Sequence, residues 1–222
     1  MKIILFGATG MVGQGVLREC LLDPEINSVL IIGRTPLNRQ NEKIREIVVK
    51  DLYDLSPIED QLKNYDACFF CLGISSAGMK ESDYSHVTYD LTISVAQTLV
   101  KQNPQMTFIY VSGMGTDSTE KGGSMWARVK GKTENALLHM PFKVAYMFRP
   151  GFIQPMHGIK SKTTLYRVLY VLIRPLTFVL MAFPKYATTT EKLGRAMINA
   201  GKNRASKPIL ESKDINALAI PR

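Results

Sequence analysis

Lys2-Ile3-Ile4-Leu5-Phe6-Gly7-Ala8-Thr9-Gly10-Met11-Val12-Gly13 is the stretch that decides the fold. A short apolar strand runs without a break into glycines spaced three apart, and Val16, Leu17, Cys20 and Leu21 then recur at helical spacing. Strand, glycine turn and helix in that order make a phosphate-binding unit. One glycine permits the tight turn, one lets a pyrophosphate approach the backbone, and one lets the helix pack close to the strand. The helix start adds unpaired N–H groups and the positive end of the helix dipole. Gly7, Thr9, Gly10, Met11, Val12 and Gly13 are therefore read as the cradle of a dinucleotide.

A chain of 222 residues suits one domain, or one domain with a small appendage, and is long enough to bury a substantial core. Three cysteines, an odd number without framework spacing, point to a reducing compartment and no structural disulfide. Cys68 and Cys71 lie on an apolar strand, where a separation of three turns them to opposite faces, so core packing is expected and neither pairing nor a shared metal. The N-terminal apolar stretch is too short for a signal peptide and continues into the glycine turn, so a cytoplasmic protein is expected. The formal charge of +9 fits a nucleic acid, an anionic membrane surface or a phosphate-rich cofactor. The basic residues are scattered and no nucleic-acid motif accompanies them, which argues against nucleic acid.

Strand and helix signals alternate along the chain. Apolar strands are expected at 28–33, 43–49, 67–72, 106–112 and 142–148. Helices are expected from Ser56-Pro57 to about Asn64, from Ser82 to Gln102, and from Ser124 to His139. Near-continuous apolar strands mean that helices cover both sheet faces. The expected fold class is α/β, a Rossmann-like doubly wound parallel sheet with a small, mostly helical C-terminal cap. Residues 1–155 form the nucleotide-binding domain in this reading, and 156–222 a cap or substrate region that does not fold independently. Thr188-Thr189-Thr190-Glu191 reads as a capping box opening a helix to about Lys202, followed by a short strand at 208–210 and a short helix at 215–218.

The cofactor is read from the end of the second strand. NAD sites place an acidic residue there, about twenty residues past the glycines, to bond the ribose 2′-hydroxyl. This chain has Gly33-Arg34-Thr35-Pro36 instead. A guanidinium cannot accept from a hydroxyl but pairs well with a phosphate, so NADP(H) is favoured over NAD(H), with Thr35, Arg39 and Lys43 as possible helpers. Asp51 is placed to bond the adenine amino group, Leu52 to pack on the ring, and Leu72-Gly73 to let the backbone approach the cofactor.

These residues resemble the atypical and extended short-chain dehydrogenase/reductase superfamily. Gly7, Gly10 and Gly13 match its glycine pattern, Ser112 its catalytic serine, Lys130 its catalytic lysine, and Arg149-Pro150-Gly151 the segment bordering the nicotinamide. Within it, Cys71-Leu72-Gly73, Val111-Ser112-Gly113-Met114-Gly115 and Val129-Lys130-Gly131-Lys132-Thr133-Glu134 are similar to the Tat-interacting oxidoreductase-like protein and to bacterial proteins called nucleoside-diphosphate-sugar epimerases. The resemblance covers residues 1–155 and the stretch from Thr188 to Ala200. It implies a Tyr-x-x-x-Lys pair one helical turn apart, in which the lysine lowers the tyrosine pKa and binds ribose, the tyrosine exchanges a proton, and the serine orients the carbonyl. The corresponding segment here is Trp126-Ala127-Arg128-Val129-Lys130. An indole N–H donates a hydrogen bond but carries no proton to or from substrate. Ser112 and Lys130 are thus candidate catalytic and cofactor residues, and Trp126 and His157 line the expected substrate pocket; Tyr84 and Tyr89 lie near enough in sequence to reach it.

Two functions follow: an NADP(H)-dependent oxidoreductase or epimerase-like enzyme on a small carbonyl or alcohol, or a protein that binds NADP(H) without turning it over. Lys160, Arg167 and Arg174 recur every seven residues in an otherwise apolar segment that Pro175 interrupts. That stripe suits a cap helix with a wet basic edge or a peripheral contact with an anionic membrane. The resemblance also suggests a homodimer through the long helices. The identity of the small-molecule substrate is not legible, and no metal is expected.

Overall fold

A computed structural model describes residues 1–159 and 183–220. In chain order the elements are β1 (Lys2–Phe6), α1 (Met11–Leu22), β2 (Ser28–Gly33), β3 (Ile44–Val48), a 3-10 turn (Ser56–Leu62), β4 (Ala67–Phe70), α2 (Glu81–Ser85), a π-helical turn (His86–Asp90), α3 (Leu91–Gln102), β5 (Thr107–Val111), α4 (Met125–Leu138), β6 (Val144–Arg149), β7 (Phe152–Gln154), β8 (Ala187–Thr189), α5 (Thr190–Gly201), β9 (Ile209–Glu211) and α6 (Ser212–Leu218). Seven strands form one parallel sheet in the order β3-β2-β1-β4-β5-β6-β9, and β7 pairs with β8 separately.

The central strands are apolar at almost every position because both faces are covered, while the edge strand β3 carries Arg45 and Glu46. Ile3 and Leu5 of β1 enter one core with Val16, Leu17 and Cys20 of α1 and Leu193, Ala196 and Met197 of α5. Ile4 and Phe6 point the other way, into a core with Leu62 of the 3-10 turn, Val95 and Leu99 of α3, and Leu137 of α4. Cys68 and Cys71 divide between the two cores, as strand geometry requires, and burial pushes both thiols up.

Three features depart from the sequence reading. The helix expected at 56–64 is a 3-10 turn. The expected long helix is broken by the π-helical turn at His86–Asp90. The described part of the C-terminal region is divided between the site and the main body: the turn at 157–159 lines the cavity beside the glycine turn, while β9 extends the main sheet beside β6 and α5 packs against α1. The contact between those helices is close, since a Cβ on Gly15 would stand 2.6 Å from the Thr190 Cβ and one on Gly194 would stand 2.8 Å from the Glu19 Cγ. Thr189 does cap α5, accepting the Lys192 N–H at 3.0 Å. Lys160, Arg167 and Arg174 lie outside the described residues.

Candidate cofactor and catalytic site

Strand order reverses between β1 and β4, because β1 and β2 carry the chain one way and β4, β5 and β6 the other. The carboxyl ends of β1 and β4 thus open a crevice, and the glycine turn lies in it. Gly7 has φ +81°, and a Cβ there would stand 2.7 Å from the Cys71 carbonyl carbon. A Cβ on Gly13 would stand 2.1 Å from the Gly7 carbonyl oxygen, which also accepts the Gly10 N–H at 3.0 Å. Only glycine fits either position. Gly10 offers α1 no side-chain cap, and its first turn holds no acid. The leading N–H groups at Met11, Val12 and Gly13 are therefore left to an anionic ligand, which is what a pyrophosphate requires.

Thr9, Gln14, Arg18, Leu37, Arg39 and His157 line a cavity of about 580 Å³ beside this turn. Arg34 stands exposed at the end of β2 and Arg39 in the following loop; neither makes an ion pair with a described residue. Lys43 is elsewhere, donating to the Leu21 and Asp23 carbonyls at the end of α1, so it is removed from the cofactor set. Asp51 is exposed and accepts the Tyr53 N–H at 2.8 Å. Leu52 is 4 % exposed and packs inward, which leaves it little surface for an adenine ring. The ring surface at this edge belongs instead to Tyr53, stacked on His86 at 4.7 Å. At Gly73 a Cβ would meet nothing within 4 Å, so the backbone there borders open space.

The catalytic end differs from the expected arrangement. Ser112 is buried, and its single hydroxyl proton goes to Glu134 Oε1 at 2.5 Å, with the Phe148 carbonyl at 3.1 Å. It points into the protein and does not present itself to a substrate. Glu134 is fully buried and also receives Arg149, whose Nε stands 3.0 and 3.1 Å from the two carboxylate oxygens. Lys130, one turn before Glu134 on α4, donates to the Ser112 carbonyl. The sequence reading did not assign Glu134. Its signal was the i, i+4 spacing from Lys130, but that spacing cannot distinguish a solvated pair from a buried one.

Pro150 is buried and its carbonyl accepts the Met114 N–H at 2.9 Å. Gly151 donates to Ser212 Oγ at 2.8 Å. Trp126 lies against the turn after β5, with its Cη2 atom 3.5 Å from where a Gly115 Cβ would stand. His157 does not join it. The turn carrying His157 lies over the phosphate side of the crevice, where Nε2 meets Glu191 Oε2 at 2.8 Å. Tyr84 is buried, and Tyr89 lies beneath the Lys132 ammonium at 4.2 Å, so neither fills the tyrosine vacancy.

Burial draws the Lys130 ammonium down from 10.5 to about 8, against the opposing pull of the Glu134 carboxylate. Between about pH 8 and 10.5 the unfolded chain holds a proton that the folded protein has lost, so this group's contribution to stability rises with pH across that window. Below pH 8 both states are protonated and the cost of the buried charge is fully present. The native protein is expected to gain stability relative to a Lys130→Met variant as pH rises from 8 to 10.5. Urea unfolding at a series of pH values reads this; a difference that stays constant contradicts it.

No family model matches the chain. Protein FMP52, mitochondrial, of Saccharomyces cerevisiae is 27 % identical over 97 % of this chain and 95 % of its own length. Protein HTATIP2 of Rattus norvegicus is 26 % identical over 68 % of this chain and 62 % of its own. Among solved structures, MoeE5 in complex with UDP-glucose and NAD superposes with TM-score 0.68 at 16 % identity, covering 95 % of this chain and 75 % of that one. The UDP-N-acetylglucosamine 4-epimerase from Bacillus cereus gives 0.66 at 18 %, covering 98 % and 82 %. The chain shares the Rossmann-like α/β fold of these solved structures and is similar in sequence to the FMP52 and HTATIP2 proteins. Against the Tyr-x-x-x-Lys pattern that the sequence resembles, this chain carries Trp126 at the tyrosine position and a Ser112 turned inward. The FMP52 relatives correct one expectation, since their mitochondrial designation conflicts with a cytoplasmic assignment.

Proposed function

We propose that this protein binds NADP(H) in the crevice between β1 and β4, with Gly7–Gly13 against the pyrophosphate and Arg34 on the 2′-phosphate. The observation carrying this reading is the combination of an uncapped helix start with a guanidinium at the end of β2 that makes no ion pair among the described residues. A bound nicotinamide supplies or accepts hydride. Lys130, half-buried at the end of the crevice, is the group available to hold ribose hydroxyls. Ser112 fixes the α4–β5 contact through Glu134. Trp126 presents an aromatic face and one hydrogen-bond donor.

Among the described residues no proton relay of the kind that reduction of simple ketones uses stands at the site, which favours a cofactor-binding regulatory role over the reduction of simple carbonyls. The second reading, an oxidoreductase or epimerase-like enzyme, draws on the Lys130 ammonium, whose pKa of about 8 lies near neutrality.

Trp126 is the only tryptophan, so its emission reports on the site. NADPH is expected to quench that emission and to gain sensitised fluorescence. Bound NADPH without energy transfer would place Trp126 away from the nicotinamide. Arg34→Ala is expected to weaken NADPH by about tenfold or more while leaving NADH unchanged, since it removes one charge-assisted phosphate contact. Tighter binding of NADH than of NADPH by the native protein would defeat the Arg34 assignment.

A further inference from the structure

Four of the seven exposed large apolar side chains among the described residues stand at one end of the sheet: Ile74, Met114, Phe183 and Tyr186. Ile74 follows β4 and Met114 follows the neighbouring β5. Gly151, just after β6, joins Met114 to Tyr186: a Cβ there would stand 3.2 Å from Met114 Cε and 2.2 Å from the Tyr186 carbonyl oxygen. Trp126 borders the same turn through Gly115. The carboxyl ends of three adjacent strands thus carry an apolar, partly aromatic rim. Of the polar groups beside it, the Ser112 hydroxyl is taken by Glu134, and the Lys130 ammonium, bonded to the Ser112 carbonyl, is the group assigned to the cofactor ribose. The Trp126 indole remains as a hydrogen-bond donor that cannot give up its proton.

We propose that this rim takes a quinone, a flat apolar ring with conjugated carbonyls, as the substrate class of the site. Binding at the rim stands without the cofactor assignment; turnover rests on it. Conversion of a quinone to its hydroquinone takes up two electrons and two protons. A hydride carries both electrons and one proton, and the reduced nicotinamide that gives it up is oxidised. The second proton comes from water, because the hydroquinone anion is stabilised by its own aromatic ring and needs no enzyme acid. A simple ketone leaves a far more basic alkoxide, for which the absent tyrosine would be required. Apolar contact at the rim and freedom from general acid catalysis therefore select the same ligand class.

Menadione is the probe, and the emission of Trp126 in the cofactor-free protein is the first readout. Saturable quenching is expected. Met114→Glu, which places a charge on an exposed rim side chain, is expected to weaken it by about tenfold, and Tyr186→Ala by a smaller factor. Quenching that grows without saturating, or that is equal in both variants and the native protein, overturns the site. With NADPH present, menadione is expected to be reduced and cyclohexanone left untouched. Menadione that binds beside bound NADPH without reduction, or equal reduction of cyclohexanone, overturns the substrate class. NADPH binding is read separately by its sensitised emission, so a protein that binds menadione but not NADPH would refute the cofactor reading while leaving the rim intact.

Discussion

Glu134→Ala is expected to destabilise the protein by about 3–5 kcal/mol, the cost of breaking a buried ion pair by removing one partner. Glu134 is fully buried and Arg149 has 11 % of its side chain exposed. The alanine variant would leave that guanidinium with Glu211 at 3.6 Å and Ser118 Oγ at 2.5 Å. Ser112 would lose its carboxylate acceptor and fall back on the Phe148 carbonyl. Glu134 lies on α4, Ser112 just past β5 and Arg149 on β6, so the damage is a loosening of one helix from the ends of two strands. For a chain of this size the loss corresponds to a fall in Tm on the order of 10 °C. Glu134→Gln keeps an oxygen for the Ser112 hydroxyl and nearly the same shape, and is expected to fall between the two. Thermal unfolding of the three proteins measures this, and an alanine variant within about 0.5 kcal/mol of native would show that the cluster holds nothing together. Losing the carboxylate also removes the influence that raises the Lys130 pKa, so that ammonium is expected to fall further below its ordinary value.

Gly13→Ala is expected to carry the second largest effect, this time on the ligand. The added Cβ would lie 2.1 Å from the Gly7 carbonyl oxygen, a distance no relaxed structure holds. The turn must move away from α1, at a strain of about 1–3 kcal/mol. That movement displaces the N–H groups proposed to hold the phosphates, so NADPH affinity is expected to fall by about tenfold or more. The two effects separate experimentally. Unfolding reports the strain, and titration of the folded variant with NADPH reports the loss of alignment. A variant that folds and binds NADPH as the native protein does would mean that the pyrophosphate does not lie on this turn.

The glycine turn was legible because its physics is local. Residues 2–22 contain the strand, the turn and the helix, and each glycine answers a constraint set within that stretch or directly across β4. The strands were legible because burial on both faces leaves a continuous apolar signature. The His86–Asp90 turn was not, since one extra residue in a helical turn leaves the apolar spacing almost intact. The role of the C-terminal residues was misread for a related reason. A three-residue strand such as β9 has too little pattern to announce whether it stands alone or completes a sheet, and only its pairing with β6 decides.

The catalytic end divides most sharply. The sequence by itself determined that the proton-carrying tyrosine is absent, because that is a matter of residue identity at a position set by helical spacing from Lys130. It also determined the glycine turn and the basic residue at the end of β2. Only the tertiary structure decided what the remaining groups do. Ser112 lies 22 residues from Glu134 and 36 from Phe148, and it is their convergence that turns its hydroxyl inward. His157 was drawn to the phosphate side by Glu191, 34 residues later, and Lys43 to the end of α1. A side chain's chemistry is written in its identity, but its direction is set by partners that meet only after the chain has folded.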